Sequence, residues 1–418
     1  MTTHRIRTTF AILGLCLALV LASCGIEPED SPSGTSSVDP GGSGGATDSA
    51  APSQTAVGGG ELEDELNFAN WPLYIDADDP ADSPTLQQFE EETSVDVTYT
   101  EAIEDNNSFF GEIQPALAEG DDTGYDIIVM TDWMIGNMAR LGYLEPIDVE
   151  RDVPNFVENT DPKYLERTYD PGNQYSVPWQ SGITGIGYND KEVDEEITSL
   201  SQLFDPEFIQ KYCGRIGMFS EMRDSMSFAL LYNGVTPSEA TIEDAEAAQQ
   251  VLLDQAPCVR DYYGNEFAQG FADESLLITM AWSGDVFQLK LEDDTEHLQF
   301  VVPDEGGIIW TDNMAIPKGA QHPNAALAMM NHVYDPEVAA QLAEYIAYVS
   351  PVPTAKDIIL QHVEEAETGE DADDLRDVAE SPLVFPTEEM LDNLYSYKVL
   401  DEEEERIWNE LFDEVIAG

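Results

Sequence analysis

The chain has 418 residues, 42% hydrophobic and 9% aromatic, which is enough apolar material for two ordinary domains with their own cores. It carries 84 Asp plus Glu against 17 Lys plus Arg, a formal net charge of -67, and such a field excludes a surface built for nucleic acid or anionic lipid. Acid spread this widely reads mostly as a solvated surface suited to high salt, so charge alone does not choose a ligand.

Taken in chain order, Arg5 and Arg7 precede an apolar run, Phe10 to Ala22, that leads into Leu21-Ala22-Ser23-Cys24. The run is too short for a bilayer core of ~30 Å and reads as a secretory signal. Small residues followed at once by cysteine match the bacterial lipobox, so residues 1–23 are expected to be removed and Cys24 lipidated. Residues 24–61 form the lipidated cysteine and a tether of Gly, Ser, Pro, Thr and Asp; without Leu, Phe, Tyr or Trp it cannot offset the entropy of ordering. Cys16 leaves with the signal, so Cys213 and Cys258 remain as an even pair. In an oxidising compartment they are expected to form one disulfide, with two buried thiols as the alternative.

From Leu66 onward strands and helices alternate. Leu66–Ala69 reads as a strand, and Ser83 to Glu92 as a helix capped by Ser83 with Pro84 in its first turn. Strands are predicted at 95–100, 125–130, 185–188, 215–219, 276–282 and 298–302, and helices at 109–118, 225–231, 242–254, 325–334 and 336–345. The acidic run 364–380 reads as a solvated helix or loop. This alternation predicts an α/β protein with open sheets flanked by helices.

Catalytic chemistry finds little support. The five histidines form no HExxH pair, and there is no GxSxG elbow or glycine-rich phosphate loop, so neither a metal nor a cofactor is expected. Aromatic residues beside acids at predicted strand ends stand out instead: Asn70-Trp71-Pro72-Leu73-Tyr74, Thr131-Asp132-Trp133, Trp282-Ser283-Gly284-Asp285 and Trp310-Thr311-Asp312. In open α/β sheets the carboxyl ends of strands border the ligand crevice. Ring faces attract an organic cation and carboxylates accept its N–H bonds.

At these segments, and at Phe89-Glu90-Glu91-Glu92-Thr93, Tyr125-Asp126-Ile127-Ile128-Val129, Gly185-Ile186-Gly187-Tyr188-Asn189 and Glu305-Gly306-Gly307, the chain resembles the spermidine/putrescine-binding receptors of polyamine ABC transporters. The resemblance runs from Leu66 to the C-terminus. It implies a two-lobed periplasmic-binding-protein fold of type II with a hinge, residues 62–182 plus 312–356 forming one lobe and 183–311 plus 357–418 the other. It also implies that Trp71, Tyr74, Trp133, Trp282, Trp310 and Tyr348 form an aromatic box. Asp312 would grip one ammonium, with Glu221 or Asp224 at the other end and a hydroxyl from Thr131. Asp285 and Lys398 resemble putrescine-type members. Leu73 departs from the pattern, standing where relatives place an acid, and Asp132 is the candidate to replace that amine partner. The implied partners are a polyamine, the permease subunits of a transporter, and a membrane reached through the lipid on Cys24, with no nucleic acid. Three rival readings stay open: a betaine receptor, a ferric-ion receptor through Tyr262-Tyr263, and a secreted amine-modifying enzyme.

Overall fold

The structure is a computed structural model that describes residues 59–165, 167–291, 295–366 and 370–417. The signal segment, the Cys24 lipidation site and residues 24–58 of the expected tether lie outside the described residues.

Among the described residues ten strands form one sheet: β1 Glu65–Asn70, β2 Asp96–Glu101, β3 Ile127–Thr131, β4 Ser176–Asn189, β5 Ile216–Phe219, β6 Val259–Tyr263, β7 Ile278–Trp282, β8 Leu298–Val301, β9 Gly307–Ala315 and β10 Leu394–Tyr395. The main path runs β2-β1-β3-β9-β4-β7-β5-β6, with β8 and β10 as side branches on β4 and β9. The longer helices are α1 Pro84–Thr93, α2 Asn106–Glu119, α3 Asp132–Leu141, α4 Met222–Tyr232, α5 Ile242–Gln255, α6 Ser283–Lys290, α7 Pro323–His332, α8 Pro336–Ile346, α9 Ala355–Glu365, α10 Glu370–Glu380 and α11 Glu402–Ala417.

Local chemistry explains several boundaries. Ser83 caps α1, its hydroxyl accepting the Leu86 amide, and Pro84 opens the helix where no amide is needed. Leu86 and Phe89 then fall on its buried face. β3 is buried along its whole length, as a central strand covered on both faces must be.

Two strands divide the sheet into halves. β4 pairs with β9 from Ser176 to Thr184, then with β7 from Thr184 to Tyr188, so one strand carries the chain across the molecule. β9 crosses in the opposite sense: its Ile308–Thr311 stretch lies against β4, while Asp312–Ala315 also pairs with β3. The first half is β2-β1-β3 with α1, α2 and α3; the second is β7-β5-β6 with α4, α5 and α11. Cys213 and Cys258 are disulfide-bonded in the second half. In the acidic run Glu364 and Glu365 close α9, and α10 is helical and packs on α8 and α9.

Candidate ligand-binding site

The site grows from the register of the crossing strands. β3 and β9 place Thr131 opposite Asp312, and the Thr131 hydroxyl donates to Asp312 Oδ1 at 2.8 Å. Asn106, at the start of α2, fixes that hydroxyl: its Nδ2 donates to Thr131 Oγ1 at 2.9 Å while its Oδ1 accepts the Thr131 amide at 3.1 Å. Two residues earlier on β9, Trp310 faces Gly182 of β4. A methyl group at Gly182 would overlap the Trp310 indole, so glycine is required by close approach. Gly182→Ala is therefore expected to push Trp310 aside and weaken ligand binding at least tenfold. Far-UV circular dichroism would show the fold retained, and titration calorimetry would read the loss.

Trp310 anchors a ring cluster. Its centroid lies 6.2 Å from Trp282 and 5.8 Å from Tyr348, and Tyr348 lies 5.3 Å from Tyr74. Phe219 and Phe267 back Trp282 at 4.5 and 5.5 Å, and Trp179 backs Tyr74 at 6.4 Å. Gly284, in the first turn of α6, leaves room for the Tyr348 ring in the same way that Gly182 does for Trp310. The Tyr74 hydroxyl is buried without a partner at normal hydrogen-bond geometry, yet it lies close enough to Asp312 to influence its proton.

Carboxylates lie beside the rings and their hydrogen-bonding supports. Trp310 Nε1 donates to Thr184 Oγ1 at 3.1 Å, and Thr184 Oγ1 donates onward to Asp224 Oδ1 at 2.6 Å. Tyr397 Oη supplies a second hydrogen bond to Asp224 at 2.7 Å. Desolvation lifts the carboxyl of Asp224 to about 7 against the pull of those two donors, with the charges of Glu221 and Asp132 adding to the rise. Asp312 also reaches about 7, through burial first, opposed by Thr131 and Tyr74 and reinforced by Asp132. Asp285 reaches about 7 through desolvation, opposed by a hydrogen bond from Tyr348. Burial raises Asp132 to about 6 despite Arg167, two backbone amides and Arg223, and it raises Glu221 as well. These shared influences tie the acids into one electrostatic cluster. Asp132 acts on both Asp312 and Asp224, and Tyr74 and Tyr348 each feel Asp285 and Asp312.

The residues singled out from sequence do not all meet. Tyr74, Trp282, Trp310, Tyr348, Asp285, Asp312 and Thr131 come together around β9. Glu221 and Asp224 sit at the N-terminus of α4 in the second half. Trp71 is held on β3, its Nε1 donating to Val129 O at 3.0 Å. Trp133 is covered by Arg223, whose guanidinium carbon lies 3.7 Å from the ring centroid. Lys398 pairs with Glu404 at 3.3 Å. Leu73 holds a left-handed backbone at φ 56, its amide donating to Glu101 and its side chain exposed. Tyr262 and Tyr263 occupy β6, at the sheet edge, with the Tyr262 ring on Phe412 of α11. Sequence reasoning missed Thr184, Trp179 and Tyr397 as supports. Tyr397 had a signal in its position directly before Lys398; the others had none.

A protein-family model described as bacterial extracellular solute-binding protein matches residues 85–370, and the chain belongs to that family. Its fold is the two-lobed periplasmic-binding-protein architecture of type II, with open β-structure flanked by helices. The chain is 30% identical over 301 residues to the spermidine/putrescine-binding periplasmic protein of Salmonella typhimurium, covering 72% of this chain and 81% of that one. It is 26% identical over 387 residues to the putrescine/agmatine-binding protein of Pseudomonas aeruginosa, covering 89% and 95%. Among solved structures, the spermidine/putrescine ABC transporter substrate-binding protein PotD from Streptococcus pneumoniae superposes with a TM-score of 0.67 at 28% identity, covering 84% of this chain and 98% of that one.

Proposed function

We propose that this chain is an extracytoplasmic receptor that binds a polyamine, putrescine or spermidine, and delivers it to an ABC-type membrane transporter without making or breaking bonds. The observation that carries the reading is the joining of a ring cluster to two sets of carboxylates, Asp312 and Asp285 beside Tyr74 and Tyr348, Asp224 and Glu221 beyond Thr184. Rings suit the methylene chain of an amine and the carboxylates its terminal ammonium groups. Charge points the same way. Five carboxylates (Asp132, Glu221, Asp224, Asp285 and Asp312) share the site with the guanidiniums of Arg167 and Arg223. A ligand bringing two or three positive charges stabilises the ionised acids; a betaine, with one cationic head and its own carboxylate, serves only one set.

Trp282, Trp310, Tyr74 and Tyr348 form the box in this reading, with Asp312 and Thr131 at one end and Asp224 and Glu221 at the other. Residues 62–182 with 312–346, and α9 and α10 packed on α8, form one lobe in this reading, 183–311 with β10 and α11 form the other, and the lobes close over the amine. Cys24 carries the lipid that holds the receptor near its permease. A desolvated cation–π contact is worth ~2 kcal/mol and a charged hydrogen bond ~1.5–3 kcal/mol, so a few of each less ordering costs reach the ~8 kcal/mol of micromolar binding. Titration calorimetry with putrescine, spermidine and betaine tests this: the two polyamines are expected to bind in the micromolar range or tighter and betaine not at all. A chain that binds neither amine ends the reading.

A further inference from the structure

Arg223 follows Glu221 and precedes Asp224 on α4, yet its guanidinium reaches out of its own half of the molecule. The guanidinium carbon lies 3.7 Å from the centroid of Trp133, on α3 of the first half. Nη2 is held by Glu405 of α11 at 3.0 Å. Arg223 is 4% exposed and Trp133 8%, so the contact is dry. Trp133 is fixed in turn, its amide donating to Asp132 Oδ1 at 2.7 Å. A second link spans the same halves: Asn265 Nδ2 donates to Glu104 O at 3.5 Å.

We propose that Arg223, oriented by Glu405, latches the two halves over the bound amine by stacking on Trp133, so that Trp133 is a closure contact and not a wall of the amine site. The proposal rests on the receptor reading above. A ring face already covered by a guanidinium cannot also receive an ammonium group, because the two cations repel and compete for one quadrupole. Arginine suits this place better than lysine, since its plane matches the indole and it keeps its charge when buried. A latch of this kind acts after encounter, so it slows release and leaves association unchanged.

The test is a double-mutant cycle in the full chain with Arg223→Met, Trp133→Leu and the pair together. The effects of Arg223 on neighbouring carboxylates cancel in the cycle, leaving the contact itself. In stopped-flow measurements each single variant is expected to speed putrescine release about ten- to thirtyfold, and the pair to release no faster than either alone. Trp133→Phe, which keeps a ring face, is expected to restore most of the slow release. Multiplying effects of the two substitutions would overturn the latch and return Trp133 to the amine site. The same cycle on urea unfolding of the amine-free chain separates the failures. If the wild-type chain takes up no putrescine, the receptor reading falls, and coupling or additivity in unfolding alone keeps or removes the Arg223–Trp133 contact. Coupling in unfolding with additivity in release makes the contact structural and overturns its role in retention.

Discussion

Asp312→Asn is expected to weaken putrescine binding by at least tenfold in titration calorimetry at pH 8. The substitution keeps the shape of the side chain, and the amide oxygen can still accept the Thr131 hydroxyl that now holds Oδ1 at 2.8 Å. What disappears is the negative charge at a site 4% exposed, where water cannot take its place. A hydrogen bond to a charged group contributes ~1.5–3 kcal/mol, which corresponds to about ten- to hundredfold in affinity. Thr131→Val, which removes only the supporting donor, is expected to cost less. An unchanged affinity in Asp312→Asn would remove the residue at the centre of the site from the amine-binding account.

The second large effect is on pH. Asp224, Asp285 and Asp312 titrate at about 7 in the amine-free protein because burial disfavours their charged forms. An ammonium group favours the ionised carboxylate, so the carboxyl pKa values fall on binding. Affinity is then fully present above about pH 7 and is lost as pH falls through that value, up to tenfold per pH unit for each carboxylate engaged. Calorimetry in buffers of different ionisation enthalpy is expected to show proton release near pH 7. Stability of the amine-free chain runs the other way. These acids have folded values raised above the unfolded ~3.9, so the folded state binds more protons between the two, and their contribution to stability falls as pH rises from about 4 to about 7. Putrescine should therefore raise Tm much more at pH 8 than at pH 5. Equal increments at both values would show that these carboxylates do not meet the amine.

Much of the fold could be read from local chemistry. Ser83 and Pro84 mark the start of α1 by capping logic alone, and β1, β3 and β7 follow from short apolar runs. The crossing strands were harder. The sequence predicts only Gly185–Tyr188 of the 14-residue β4, because Pro178 and the small residues around Gly182 dilute its apolar pattern. β9 is absent from the strands that the sequence predicts, although Gly307–Ala315 pairs along almost its whole length. The reason is physical: the glycines leading into it signal a turn, and the pairing that makes it a strand is entirely long-range. The site shows the same division. Aromatic–acid couplets are visible in sequence, and Trp282 with Asp285 does follow the end of a strand, whereas Trp310 and Asp312 lie inside β9 and not at a strand end. The partners of Trp71 and Trp133 are not visible, because a backbone carbonyl on β3 and a guanidinium on the far half leave no mark near either tryptophan.

The bond between Cys213 and Cys258 encloses β5, α4 and α5, and so encloses Glu221, Arg223 and Asp224. Closing a loop of this span, a sequence separation of 45, narrows the denatured ensemble by about 4 kcal/mol in the chain-entropy picture. The stitch thus keeps one jaw's acids and its arginine within a single short circuit of chain even when the surrounding sheet frays. Cutting it is expected to loosen that half first, while Thr131 and Asn106 still hold Asp312 from the other.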